Sequence, residues 1–143
     1  MKRVALAIML ALTASVAPAR AGSPAELYTL NCWGCHQAHA EGIPGTVPRL
    51  AHSMAYFLSV PGGRAFLVQV PGVANSSLDD KQTAAVLNWL MVTFNKQELP
   101  KDFKPYTGAE VARLRAHPLL DVKQPRIKLA RKIAAQGHQV APP

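Results

Sequence analysis

The sequence predicts an all-α protein, on three observations. Side-chain caps open helices at Ser23-Pro24-Ala25-Glu26, Ser77-Leu78-Asp79-Asp80 and Thr107-Gly108-Ala109-Glu110; in each, an oxygen can accept from the free backbone N–H groups of a first turn. Apolar residues recur at helical spacing, as in Leu50, Met54, Phe57 and Leu58. Between such stretches stand breaks rich in Pro and Gly, notably Glu41 to Pro48 and Pro61-Gly62-Gly63, which suit loops. No internal repeat is visible.

The first 21 residues read as a secretory signal. Met1-Lys2-Arg3 precedes an apolar run from Val4 to Val16 that is too short to span a bilayer as a helix. Ala19-Arg20-Ala21 then gives a small-x-small cleavage site. The expected product starts at Gly22, is exported to the periplasm and has no membrane span.

The first helix of that product begins at Ser23, with Pro24 suited to the first turn and Glu26 able to reach back to the cap. It runs into a cysteine motif. A second helix is expected from about Leu50 to Pro61. Between Arg64 and Val70 the residues Phe66, Val68 and Val70 alternate as in a strand, but two helical turns fit the length and helix is preferred. Pro71-Gly72 is expected to break the chain. Ser77 to Asp80 then opens a helix through its cap and acidic first turn, with Val86, Trp89, Leu90 and Phe94 on one side. Beyond Pro100 the composition shifts toward Pro, Lys and Arg. A linker at 101–105, a short helix from Thr107 to near Pro118 and a frayed basic helix from Pro125 to about Ala135 are expected there. The organisation is thus one domain over 22–100 and a basic extension over 101–143. A domain that small buries little apolar surface for its length and calls for a staple.

The whole chain has 16 Lys and Arg against 8 Asp and Glu, a net charge of +8. Without Lys2, Arg3 and Arg20 the charge is +5, divided as −1 over 22–100 and +6 from Lys101 onward. This asymmetry points to an acidic partner for the C-terminal segment. Nucleic acid is not expected, because the compartment is wrong and no aromatic residues interleave with the basic ones.

Chemistry concentrates at Cys32-Trp33-Gly34-Cys35-His36, which holds the only two cysteines. This is the pattern of c-type haem attachment. On a helix, three-residue spacing puts both sulfurs on one side, within reach of two vinyl groups at one porphyrin edge, and His36 can turn its imidazole under the same ring. A thioredoxin-like pair would follow a strand in a βαβ context, whereas here a capped helix precedes it. A zinc site from Cys32, Cys35, His36 and His39 would crowd four ligands into eight residues, unlike the separated pairs usual for zinc. A disulfide between the cysteines would close too small a loop to stabilise much.

With that motif, residues 23–94 resemble the class I cytochrome c family. The other matching elements are the loop at Pro48-Arg49-Leu50 and the helix after Leu78-Asp79-Asp80. The resemblance implies a small cytochrome c-like helical domain around one covalent haem c. It implies that the Pro48 backbone carbonyl helps hold His36, and that the region Leu87 to Phe94 crosses the first helix. The family usually supplies a methionine ahead of its last helix as second iron ligand, but here that stretch reads Gln69-Val70-Pro71-Gly72-Val73.

Met54 shares the apolar stripe of the second helix and is the preferred second axial ligand, with an open iron as its close rival. Met91 is disfavoured because it sits opposite the stripe of Val86, Trp89, Leu90 and Phe94, and His52 because it lies about 200° round the helix from Leu50. Arg64 and Trp89 are candidates to donate to haem propionates, which are costly anions to bury. His117, before Pro118, suits a helix C-cap. The expected function is periplasmic electron transfer rather than catalysis. The partner is a periplasmic dehydrogenase or reductase with an acidic surface. Rival functions are an open-iron protein that binds a small ligand or reduces peroxide, and a haem subunit of a dehydrogenase complex.

Overall fold

Ser23 opens the first helix as its sequence requires. In the computed structural model, which describes residues 22–140, the Ser23 hydroxyl accepts from the Glu26 N–H and the Glu26 carboxylate accepts from the Ser23 N–H at 2.6 Å. The signal segment expected over 1–21 lies outside the described residues. Helix α1 (Pro24–Asn31) leads into a single turn, α2 (Trp33–His36). Gln37 then takes a left-handed φ of 64°, and the Tyr28 hydroxyl donates to its carbonyl at 2.6 Å.

The loop after α2 folds back on itself. Gly42 donates its N–H to the His36 carbonyl at 3.0 Å, and the Ala40 carbonyl accepts from both Leu50 and Ala51, at 2.8 and 3.0 Å. The helix expected from Leu50 is displaced and tighter, a 3₁₀ helix over Met54–Ser59. His52 has a left-handed φ of 53°, which interrupts any helix running from Leu50. The N–H groups of Ser53 and Ala55 turn instead to the Asn95 side-chain oxygen, at 3.0 and 3.3 Å.

Helix, not strand, is found over Gly63–Gln69 (α3). It can approach the 3₁₀ helix because Gly63 has no Cβ; one there would run into the Phe57 carbonyl oxygen. Pro71 does not end helical structure but begins a turn of it, α4 (Pro71–Ala74), because a proline at the first position forfeits only an N–H that lacks an intrahelical partner. The break falls at Val70, which is extended at ψ 137°, as a residue before proline must be.

Helix α5 (Asp80–Phe94) is capped by Asp79, which exchanges hydrogen bonds with Gln82 at 2.7 and 3.0 Å. Ser77 does not cap it; its hydroxyl donates to Asn31 of α1 at 3.0 Å. The buried residues of α5 are Thr83, Ala84, Val86, Leu87, Leu90 and Met91, so Met91 faces inward, contrary to the expectation from the Trp89 stripe. Trp89 and Phe94 are half-buried. α5 packs against α1 on one side and α6 (Gly108–Arg115) on another.

Past residue 100 the chain returns to the same core. Tyr106, Val111, Leu129 and Ile133 belong to one apolar cluster with Leu27, Phe57, Leu67 and Leu87. The last helix, α7 (Lys123–Ala134), is not a frayed solvent helix: it buries Arg126, Leu129 and Ile133 against the 3₁₀ helix and α3. Those residues make one face at helical spacing. No named β-strand occurs among the described residues, and none of their helices is long and apolar enough to cross a membrane.

Candidate functional site

Cys32 is the joint between α1 and α2. Its N–H donates to the Tyr28 carbonyl at 2.8 Å, and its own carbonyl accepts from Cys35 and His36 at 3.2 and 2.9 Å. This turn keeps the two thiols on one short helical segment. Both are free; Cys32 is half-buried and packs against the core, and Cys35 is exposed. Burial, and then the neighbouring Cys35, push the Cys32 thiol above its ordinary pKa. It stays protonated at neutral pH, the form whose S–H adds across a vinyl C=C to leave a thioether.

His36 is oriented by the loop. Its Nδ1 lies 3.1 Å from the Pro48 carbonyl oxygen, which can only accept, so the proton sits on Nδ1 and the Nε2 lone pair is left for a metal. Burial holds the imidazole below its ordinary pKa, opposed by the Pro48 hydrogen bond. A neutral ring is therefore favoured at neutral pH. The backbone supports this from two sides, through Gly42 N–H on the His36 carbonyl and the Tyr28 hydroxyl on the Gln37 carbonyl. Two unpaired thiols beside a neutral, carbonyl-oriented imidazole fit a haem c: Cys32 and Cys35 would hold the porphyrin edge and His36 would meet the iron.

The rival arrangements fit less well. Among the described residues, no three His, Cys, Asp or Glu side chains gather where a metal ion alone could sit. The zinc set Cys32, Cys35, His36 and His39 is thus not assembled.

The other candidates have contacts of their own. Arg64, expected at the propionates, makes its contacts with the C-terminal segment. Its guanidinium donates to both Glu110 carboxylate oxygens at 2.6 and 2.7 Å and to the Lys104 and Pro105 carbonyls at 2.7 and 3.2 Å. It also lies 4.0 Å over the Tyr106 ring. Trp89 packs between Tyr28 and Phe94, each ring 5.3 Å away. Met54 is 3% exposed and Met91 fully enclosed, both within the core cluster. His52 is exposed, with Nδ1 2.9 Å from Glu98, and His117 is exposed at the end of α6.

Two structural residues escaped the sequence. Asn95, fully buried, joins the end of α5 to the start of the 3₁₀ helix, and also donates to the Leu90 carbonyl at 3.2 Å. Arg115 of α6 donates to the carbonyls of Ala74, Ser76 and Leu78 at 2.7 to 3.1 Å and touches Asp80 at 3.3 Å. It pins the connection between α4 and α5. No local pattern marks either residue, since most of their partners are backbone groups far along the chain.

The chain was also compared with known proteins. The family model described as Cytochrome c matches residues 23–93. One cytochrome c-552 of Thermus thermophilus is 36% identical over 137 residues, covering 83% of this chain and 90% of that protein. Another cytochrome c-552 of Thermus thermophilus is 37% identical over 113 residues, covering 66% of this chain and 86% of that protein. The 83% coverage carries the first similarity past residue 100.

Proposed function

This chain belongs to the cytochrome c family, and from that premise we propose that it is a periplasmic electron carrier with its haem bonded to Cys32 and Cys35 and ligated by His36. Membership makes it a class I monohaem cytochrome with covalently bound haem c, a haem electron carrier. Bound haem supplies a one-electron couple, and the protein's task is to hold it and present it.

The observation that carries the assignment of residues is the His36 Nδ1 contact with the Pro48 carbonyl, beside two free thiols on the same turn. The contact selects the tautomer and fixes the ring, while the thioethers would fix the porphyrin. Within and just before the motif, Trp33 and Leu30 are large exposed apolar side chains, which suit a brief apolar encounter with a redox partner. The proposed partner is a periplasmic dehydrogenase or reductase with an acidic surface, met by the cations of the C-terminal segment.

Haem staining after denaturing electrophoresis, together with intact mass, tests the attachment. Wild type should stain and carry the mass of one haem. A Cys32→Ala, Cys35→Ala double variant that stained equally would place the attachment elsewhere. For the location, a cell-fractionation experiment should find the haem-stained band in the periplasmic fraction with residues 1–21 removed; a band retaining them in the cytosol would count against export.

A further inference from the structure

A haem iron held by His36 on one face has a second axial position, filled in proteins by the side chains of His, Met, Cys or Tyr when the protein fills it. The inventory of such residues is short: five His, four Met, three Tyr and two Cys in the whole sequence. This inference rests on the attachment proposed above, in which Cys32, Cys35 and His36 are already used. Met1 and Met9 fall in the segment expected to be removed on export.

Most of the remaining residues are engaged elsewhere. Met91 is fully enclosed and Met54 nearly so, both packed among core side chains. Bringing either thioether to an iron outside that cluster would open a hole in it. Tyr28 donates its hydroxyl to the Gln37 carbonyl and Tyr106 to the Arg64 carbonyl, and Tyr56 stacks on His138 at 4.3 Å between ring centres. His39 lies in the loop beyond the left-handed Gln37, its backbone N–H donating to the Glu41 carboxylate at 2.7 Å. His117 is exposed in the bend beyond α6. His52 is exposed, its backbone N–H held by Phe94 and its ring by Glu98.

The segment between α3 and α5 cannot bring up a substitute. It holds no Met, His, Cys or Tyr. It is also pinned from outside, by Arg115 on the Ala74, Ser76 and Leu78 carbonyls and by the Leu119 N–H on the Gln69 carbonyl at 2.9 Å.

We propose that no side chain of this protein fills the second axial position, and that a small neutral diatomic binds the reduced iron there. The protein is then a ligand-binding cytochrome as well as a carrier. Carbon monoxide is the probe. The holoprotein, full mature chain with haem, is reduced and titrated with it while the Soret band is followed. Wild type should show a saturable shift and rapid binding at a rate proportional to carbon monoxide concentration. The ferric protein should lack the far-red band of methionine-to-iron charge transfer. His52→Gln and the volume-conserving pair Met54→Leu, Met91→Leu should leave spectrum and binding unchanged.

A methionine band in wild type that disappears in the Met54→Leu, Met91→Leu variant would overturn the proposal, as would failure of haem-loaded wild type to bind carbon monoxide. Carbon monoxide binding that appears only in His52→Gln would overturn it too, by naming His52 as the ligand. If the leucine variant does not fold, the wild-type band and titration decide alone. A chain without covalent haem by mass overturns the attachment, and this inference with it; a haem-loaded, six-coordinate chain overturns this inference only.

Discussion

Gly42 has a φ of +68°, and a Cβ on it would run into the Val47 carbonyl oxygen. Gly45, three residues on, has a φ of +75° with open space around it. The two separate backbone strain from collision. Gly45→Ala should lose about 1 kcal/mol for a left-handed alanine, whereas Gly42→Ala should lose more, about 2–3 kcal/mol as strain and clash combine; urea unfolding of both variants measures the difference. Equal losses would mean that the loop yields around Val47. A second residue-scale test concerns Glu110, whose carboxyl Arg64 holds below its ordinary pKa of 4.5. A depressed carboxylate contributes stability that is fully present above the unfolded-state value and is lost as the pH falls through the folded one. The gap in unfolding midpoint between wild type and Glu110→Gln should therefore be constant near neutrality and close only in acid below about pH 4.5. A gap independent of pH would remove the ion pair as its source. The cysteine motif is legible in the sequence because attachment chemistry needs residues only three and four apart. The role of Arg64 is not, because its carboxylate partner lies 46 residues away and no spacing rule reaches that far.

Among the helices, α1 and α5 are legible because their caps lie next to them, in Ser23 with Glu26 and in Asp79 with Gln82. The 3₁₀ helix is not, because its entry depends on a left-handed His52 and on Asn95, about 40 residues away. α7 misleads for a different reason: its many Lys and Arg suggest solvent, yet Arg126, Leu129 and Ile133 repeat at helical spacing and are buried. Charge on three sides of a helix does not preclude an apolar fourth. Ile133, with none of its surface exposed, makes the test. Ile133→Ala should cost about 2–5 kcal/mol, as for other buried aliphatic truncations, in thermal or denaturant unfolding followed by circular dichroism. A loss near zero would return α7 to the frayed state.

The whole molecule is asymmetric in charge, with +6 beyond residue 100. Since α7 is part of the core, deleting it would confuse steering with folding. Its exposed cations Lys128, Arg131 and Lys132 can be reversed to Glu instead. The bimolecular electron-transfer rate with an acidic redox partner should fall at low salt and approach the wild-type rate as the screening length drops below about 8 Å. Rates that match wild type at every ionic strength would remove the docking role. At this scale caps and periodicity foretell the all-α architecture, but not the return of residues 106–133 to the core, because composition alone separates them from what comes before. That return has a bearing on the order of assembly. Ser59 and Gln136 exchange hydrogen bonds across 77 residues, and closing so long a loop is entropically dearer than forming the turn at Cys32. The cysteine turn and its helix can form early, from neighbours alone, while the seam between α7 and the 3₁₀ helix waits for residues made much later. The thiols can thus be presented on a local scaffold before the molecule shuts, with the Ser59–Gln136 seam as the latch.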